Sequence, residues 1–358
     1  MSLLSGRSTA PAVPTPPSAL GPEVVSPAAI SPEDLRRQVT QVLGEQGGGL
    51  ARVVAEFDAA LASPNPFLND LVQHASRFRG KMLRPMLLLL AAEATGGQRP
   101  MHPRLAAVVE MVHVATLVHD DVLDEADVRR HVATLNSRWN NEAAVLFGDY
   151  LFTQAFRLAA TTGSADVCVQ IGEVCANVCG GELTQNRHRG NLDLDEATYL
   201  QIVEGKTAEL TALACTLGAG EAGASDDVVA AFDTYGRKLG IAFQIADDLL
   251  DLHGVPGEVG KTLGSDVQKQ KLTLPLIRLL ATAAPAVREI VQQLLSHPNE
   301  ATATALRSYL AASDAGQYTR RRAGDFVREA KEALAIVPAS PARELLEQIA
   351  DFAIARRR

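Results

Sequence analysis

Long apolar runs are missing from this 358-residue chain. None approaches the roughly 20 consecutive apolar residues that a bilayer-crossing helix needs, which argues against a transmembrane protein. Aromatic residues are scarce at 4%, with a single tryptophan, so few platforms exist for stacking nucleic-acid bases. Positive charge is in deficit. Lys and Arg number 34 against 42 Asp and Glu, a formal net charge of −8, which argues against a nucleic-acid partner. The four cysteines (Cys168, Cys175, Cys179, Cys215) are too few for a disulfide scaffold, and no CxxC pair is present. Cys168, Cys175 and Cys179 fall on one helical face and read as small buried side chains in a reducing, cytoplasmic compartment. The opening residues lack a basic stretch followed by a long apolar core, so no signal peptide is expected.

What is present is a helix-forming chain. Hydrophobic residues at 47% and charged residues at 21% suit a folded protein with a sizeable core. Residues 1–32 stand apart, holding seven of the 18 prolines among Ala, Ser and Thr. They are expected to form a flexible tail, with residues 33–358 as one helical domain. Ser31-Pro32-Glu33-Asp34 reads as an N-cap, a first-turn proline and first-turn acids. Apolar residues return every three or four positions over about 104–124, 226–252 and 268–282, the period of amphipathic helices. Breaks are expected at Gly96-Gly97, Gly163-Ser164, Gly180-Gly181, Gly254 to Gly260 and Pro285. Strand-like alternation is scarce, so the fold class is all-α, a bundle of ten or more helices.

Two acidic motifs carry the chemistry. Asp120-Asp121-Val122-Leu123-Asp124 and Asp247-Asp248-Leu249-Leu250-Asp251 both spell DDxxD near the ends of apolar helices. The first and last Asp of each lie one helical turn apart on a shared face and can grip one hard cation. A single DDxxD is ordinarily a solvated acidic turn. Two of them, 247 − 120 = 127 residues apart and each in an apolar helix, suggest facing walls of one cavity. Divalent ions and a polyanionic ligand would neutralise such a cavity, which points to diphosphate chemistry. Cations recur nearby: Lys81 and Arg84, Arg129 and Arg130, and Lys261 behind a glycine-rich loop. Each pair alone reads as a solvated helix end; together they offer the charge for two diphosphates.

At these residues the chain resembles the trans-isoprenyl diphosphate synthases, the polyprenyl synthetase family, and most of all its medium- and long-chain members. The likeness runs through Gly80-Lys81-Met82-Leu83-Arg84-Pro85, His113, Leu117 to Asp121 and Asp124 to Arg130. It continues through Phe147-Gly148-Asp149-Tyr150, Gly181 to Gln185, Lys206-Thr207, Phe243 to Asp248, Gly260-Lys261, Gly264-Ser265-Asp266 and Lys271 to Pro275. The resemblance implies an isoprenoid-synthase-type bundle around a central cavity and a Mg²⁺-dependent head-to-tail condensation of isopentenyl diphosphate with an allylic diphosphate, with three ions expected per site. It implies that Asp120, Asp124 and Asp247 hold the metal, supported by Asp121, Asp248 and Asp251. Arg129, Lys206, Lys261 and Lys271 would contact the allylic diphosphate. Lys81, Arg84, His113 and Arg130 match the isopentenyl diphosphate site, and Thr207 and Gln244 would line the reacting carbon. Two departures stand out: Arg79-Gly80-Lys81-Met82 replaces Gly-Gly-Lys-Arg, and His131-Val132-Ala133-Thr134 replaces Gly-x-Pro-Thr. The resemblance also implies a homodimer and delivery of the product to a membrane.

In this family product length follows from what blocks the cavity beneath the first motif. Ala115, Thr116 and Val112 precede Asp120 by one to two turns, and small Ala115 leaves room for a tail longer than geranylgeranyl, near octaprenyl. A short-chain farnesyl or geranylgeranyl product is the alternative, since a floor can come from another helix such as 150–156. Competing classes are an HD-type phosphohydrolase built on His102, His113 and His119-Asp120, a terpene cyclase, and a non-catalytic subunit of a hetero-oligomeric synthase. The first leaves the second DDxxD unexplained, and the last conflicts with all six Asp being retained.

Overall fold

The structure is a computed structural model and describes residues 31–44, 49–78, 80–253, 264–299 and 301–355. Lys261, the glycine-rich loop and nearly all of the expected N-terminal tail lie outside those residues. The helix start read at Ser31 is there: Pro32 opens the helix and Ser31 Oγ accepts from the Asp34 N–H at 3.0 Å. Helices α1 (Pro32–Leu43), α2 (Gly49–Leu61), α3 (Pro66–Ala75), α4 (Leu83–Thr95) and α5 (His102–Leu123) come first. A hairpin of β1 (Val128–Arg129) and β2 (Val132–Ala133) follows. Then come α6 (Leu135–Arg138), α7 (Asn141–Ala160), α8 (Ala165–Arg187) and α9 (Glu196–Val203). A π-helical turn, Glu204–Ala208, leads into α10 (Glu209–Ala222) and α11 (Asp226–His253). The chain closes with α12 (Ser265–Gln268), α13 (Leu274–Thr282), α14 (Pro285–Ser296), α15 (Thr302–Ala311), α16 (Ala315–Ala333) and α17 (Pro341–Ile354).

The architecture is the all-α bundle expected, apart from the two-residue hairpin, which sequence periodicity did not reveal. α5 and α11 are its central helices. α5 packs on α2, α4, α7 and α10, and α11 packs on α10, α16 and α17. Leu105, Val108, Val109, Val112 and Ala115 on α5 are fully buried, as are Phe232, Tyr235, Leu239 and Ile245 on α11. Burying side chains of that size contributes about 1.5–3 kcal/mol each.

Both helices open their burial along a stripe at the end that carries the acidic motif. Between 105 and 120 on α5 only His113, Thr116, Leu117, His119 and Asp120 keep partial exposure. On α11 between 239 and 252, Phe243, Gln244, Asp247, Leu249, Leu250 and Asp251 are partly exposed. Positions 113, 116–117 and 120, like 243–244, 247 and 250–251, recur at helical spacing and therefore share a face.

Three expectations need correction. Gly180-Gly181 does not break the chain but lies inside α8. A Cβ on Gly181 would sit 2.6 Å from the Lys206 nitrogen, so glycine there lets α8 lie against the π-turn. Of the periodic stretch 268–282 only Leu274–Thr282 is one helix, because Gln270 turns the backbone left-handed at φ 54° and Pro275 opens α13 afresh. Finally, Cys179 is exposed and Cys168 and Cys175 are only half-buried, rather than buried, although all four cysteines are free thiols.

Candidate active site

The π-turn sits between the two acidic helices and reaches both. Lys206 Nζ lies 3.6 Å from Asp120 of the first motif and is ion-paired to Glu182 of α8. It also donates to Gln185 Oε1 at 3.2 Å. Its neighbour Thr207 donates to Gln244 Oε1 at 3.0 Å, and Gln244 Nε2 donates to Asp248 of the second motif at 2.7 Å. Successive side chains on a helix diverge, by about 100° in the α form, which sends the adjacent Lys206 and Thr207 to different neighbours. Gly181 on α8 and Gly240 on α11 make this possible, since a Cβ on either would meet π-turn backbone at 2.6 Å.

The first motif is held by cations. Arg129 grips Asp121 with Nε at 2.9 and 3.0 Å and a terminal nitrogen at 2.8 Å. Burial raises the Asp121 pKa, and that guanidinium opposes the rise. Asp124 meets three cations: Arg189 at 3.0 Å, Lys271 at 3.0 Å and Lys269 at 3.1 Å. Burial pushes its carboxyl up, but Lys271 and Lys269 outweigh burial and leave it below the usual carboxylate range. The cluster of acids in turn raises Lys206 against the desolvation it suffers.

The second motif is held by neutral donors. Asp248, 5% exposed, accepts from Tyr199 at 2.6 Å as well as from Gln244. Asp251 accepts from Ser265 Oγ and from the Asp266 N–H, each at 3.2 Å. Burial, then the nearby Asp266 charge, pushes Asp248 up to about 7 and Asp251 up to about 6. Asp247 lies on the exposed stripe of α11, and its charge reaches Arg130 on the hairpin turn.

The residues matched to the isopentenyl diphosphate site come from the start of α4, the middle of α5 and the hairpin turn. Arg84 lies 3.3 Å from His113 Nε2. Burial, followed by the charges of Arg84, Arg130 and Arg129, drives His113 well below the ordinary histidine range, so it is a neutral acceptor. Arg84 Nε is buried with no partner. Lys81 lies 5.6 Å over the Phe352 ring of α17. Gly80 passes so close to Arg130 that a Cβ would sit 2.2 Å from Nη1.

The length-determining positions divide. Ala115 and Val112 are fully buried, whereas Thr116 lies on the exposed stripe and bonds the His113 carbonyl at 2.8 Å. A cavity of about 60 Å³ opens between α8, α9 and α11, lined by Gln185, Tyr199, Lys206, Gln244, Asp248 and Lys271. Thr273 lines it too, its hydroxyl buried and without a partner.

Four residues of this site were not singled out by sequence: Tyr199, Arg189, Lys269 and Glu182. Glu182 lay inside a recognised stretch without a role, and the Lys269-Gln270-Lys271 spacing was the available signal for Lys269. The histidines do not form a metal cluster. His102 accepts from the Arg99 N–H at 2.6 Å and faces the Gly218 carbonyl at 3.2 Å, while His119 Nε2 lies 3.0 Å from the Val145 carbonyl. Among the described residues no three His, Cys, Asp or Glu side chains gather to hold a metal alone. The donors present are nonetheless carboxylate oxygens, the type Mg²⁺ takes in ones and twos beside substrate phosphate, and the partnerless Arg84 Nε and Thr273 hydroxyl call for a polar ligand.

Comparison with known proteins agrees with this architecture. The polyprenyl synthetase family model matches residues 65–311. The chain is 34% identical over 312 residues to the octaprenyl diphosphate synthase of Escherichia coli, covering 86% of this chain and 96% of that one. It is also 34% identical over 288 residues to a short chain isoprenyl diphosphate synthase of Methanothermobacter thermautotrophicus, covering 79% and 89%. The crystal structure of a decaprenyl diphosphate synthase from Rhodobacter capsulatus superposes with a TM-score of 0.84 at 37% identity, covering 90% of this chain and 99% of that one. An all-helical prenyltransferase fold is thus defined. The chain belongs to the polyprenyl synthetase family, whose members are Mg²⁺-dependent prenyltransferases, and the phosphohydrolase and cyclase readings fall away. Among the described residues no helix is long and apolar enough to cross a membrane.

Proposed function

We propose that this chain condenses isopentenyl diphosphate head-to-tail with an allylic diphosphate to build a trans-polyprenyl diphosphate longer than geranylgeranyl. The observation that carries the reading is the π-turn, whose consecutive residues engage the first acidic motif directly, through Lys206, and the second by way of Gln244, through Thr207. Asp120, Asp124 and Asp247 would hold Mg²⁺, three ions per site, with Asp121, Asp248 and Asp251 behind them. Bound magnesium would neutralise the diphosphate and ease its departure. Lys206, Lys271 and Arg129 add fixed positive charge at the same end, where the breaking C–O bond leaves its electrons on the diphosphate. Lys81, Arg84, His113 and Arg130 would orient isopentenyl diphosphate so that its double bond attacks the allylic carbon, after which a proton is lost. Gln244 is held through both ends of its amide, by Thr207 and Asp248, which keeps its oxygen beside the reacting carbon. The apolar packing of α5 and α11 keeps water from quenching the carbocation.

Octaprenyl and decaprenyl relatives support a long product, and small Ala115 agrees. A short product is the second reading, favoured by the equally identical short-chain relative. α7 and α8 present exposed Val145, Leu146, Val169 and Leu183, a face suited to a second copy of the chain. Free thiols suit the cytoplasm, from which an apolar product would pass to a membrane. The test is incubation with Mg²⁺, radiolabelled isopentenyl diphosphate and each allylic primer, with products sized by chromatography. Products beyond geranylgeranyl are expected; no condensed product from the isolated chain would overturn the reading. Ala115→Tyr is expected to shorten the product, and an unchanged spectrum would refute the assignment of that position.

A further inference from the structure

The hairpin that carries Arg129 and Arg130 is poorly equipped to hold itself. It has two residue pairs, Val128 with Ala133 and Arg129 with Val132, and isolated hairpins are marginal even when longer. Its turn residues Arg130 and His131 both take left-handed backbone, φ 50° and 63°, at about 1–2 kcal/mol each for a residue with a Cβ. Something beyond the hairpin has to fix it.

The alternation of the ladder shows where. Asp127 and Thr134 are hydrogen-bonded at 3.0 Å, and Arg129 with Val132 flanks the two-residue turn, so Val128 with Ala133 is the pair between them whose backbone groups point outward. The outward carbonyl of Ala133 is taken by His74 Nε2 at 2.7 Å. His74, 4% exposed near the end of α3, accepts through Nδ1 from Arg138 at 3.1 Å, so both ring nitrogens are engaged. Arg138 lies 4.8 Å over the Trp139 ring, and that ring meets His74 edge-on at 5.2 Å and Phe67 at 6.4 Å. From His74 the chain runs through the turn Ser76–Phe78 to Gly80, Lys81 and Arg84, and Gly80 abuts Arg130.

We propose that His74, locked by Arg138 and Trp139, is a positioning residue that fastens the Arg129–Arg130 hairpin to the Lys81–Arg84 segment and so aligns the two halves of the isopentenyl diphosphate site. The proposal rests on the reading of Lys81, Arg84 and Arg130 given above. His74→Ala in the full chain is expected to raise KM for isopentenyl diphosphate about tenfold, the scale of one lost buried hydrogen bond. Both kcat and KM for the allylic primer stay within about twofold. His74→Gln restores KM, because its amide can donate to Ala133 and accept from Arg138. Trp139 is the sole tryptophan, so isopentenyl diphosphate alone should change intrinsic emission saturably, at a correspondingly higher midpoint in His74→Ala. Arg138→Leu, at an exposed position, gives the same KM shift in smaller measure without touching the core. Equal rises in KM for both substrates, or a lowered Tm with unchanged KM, would overturn the proposal. Arg130→Ala separates the two levels. If it leaves KM for isopentenyl diphosphate unchanged, the site reading fails; if it raises KM while His74→Ala does not, only the positioning role fails.

Discussion

In the first acidic motif Asp121 is bound by a guanidinium and Asp124 by three cations, whereas in the second Asp248 and Asp251 are met by a phenol, an amide, a hydroxyl and a backbone N–H. The same five-letter pattern therefore sits in two electrostatic states. Charges around the first are already balanced, so a metal there has to compete with ammonium and guanidinium groups. The second has hydrogen bonds but no cation bonded to Asp248 or Asp251 among the described residues, so it balances its charge with protons until a divalent ion arrives. Identical motifs need not load alike, and the sharpest tests are those that treat the two walls differently.

The largest effect is expected where the walls meet. Lys206→Met removes the ammonium that is ion-paired to both Asp120 and Glu182, leaving two half-buried carboxylates facing each other. Breaking such a network costs about 3–5 kcal/mol, and loss of a cation at the leaving group lowers kcat about 10²–10³-fold. Thermal unfolding and steady-state kinetics would check both; a variant of unchanged Tm would mean that the lysine does not brace the first wall.

Next is the pH dependence of metal-free protein. A carboxyl raised from its ordinary 3.8 to about 7 or 6 keeps its proton in the folded state where the unfolded chain has lost it. Stability therefore falls as pH rises from about 4 through 7, by up to roughly 4 kcal/mol from Asp248 alone. Asp124, held low, acts in reverse: its contribution is present above 3.8 and is lost only as pH falls through its lowered value. Unfolding with EDTA between pH 4.5 and 8 thus reads the second wall, and Asp248→Asn should flatten most of the slope. A slope untouched by that change would place the titrating groups elsewhere.

Tyr199→Phe sharpens the same contrast on a smaller scale. Removing the phenol takes one donor from Asp248 and should cost about 1.5–3 kcal/mol where the carboxylate is ionised, less where it is protonated. In the Asp248→Asn background the difference between pH regimes should vanish, which a double-mutant cycle measures.

Much of this architecture was legible because it is written locally. Helical periods, the Ser31-Pro32 start and the paired aspartates are set by residues close in sequence. What escaped was set by contacts at a distance. Gly180-Gly181 reads as a break, yet Gly181 serves an approach between α8 and the π-turn 25 residues later (206 − 181). Arg189 and Tyr199 look like ordinary surface and core residues until α8 and α9 bring them to Asp124 and Asp248. The hairpin was invisible because its turn, Arg130-His131, contains no glycine to announce it.

That turn offers the smallest and most local test. His131 occupies a left-handed position where the resemblance leads one to expect glycine, and it stands at the tip of the hairpin whose Arg129 braces the first wall. Glycine adopts such a backbone freely, but it also has more freedom to lose on folding, so the two effects partly cancel. His131→Gly should therefore stabilise the protein by no more than about 1 kcal/mol. Because the relief falls on the hairpin, it should leave the pH slope of the metal-free second wall unchanged. A slope that moved with this substitution would show that the two walls are coupled through the hairpin, by way of Arg130 and Asp247, rather than being set separately.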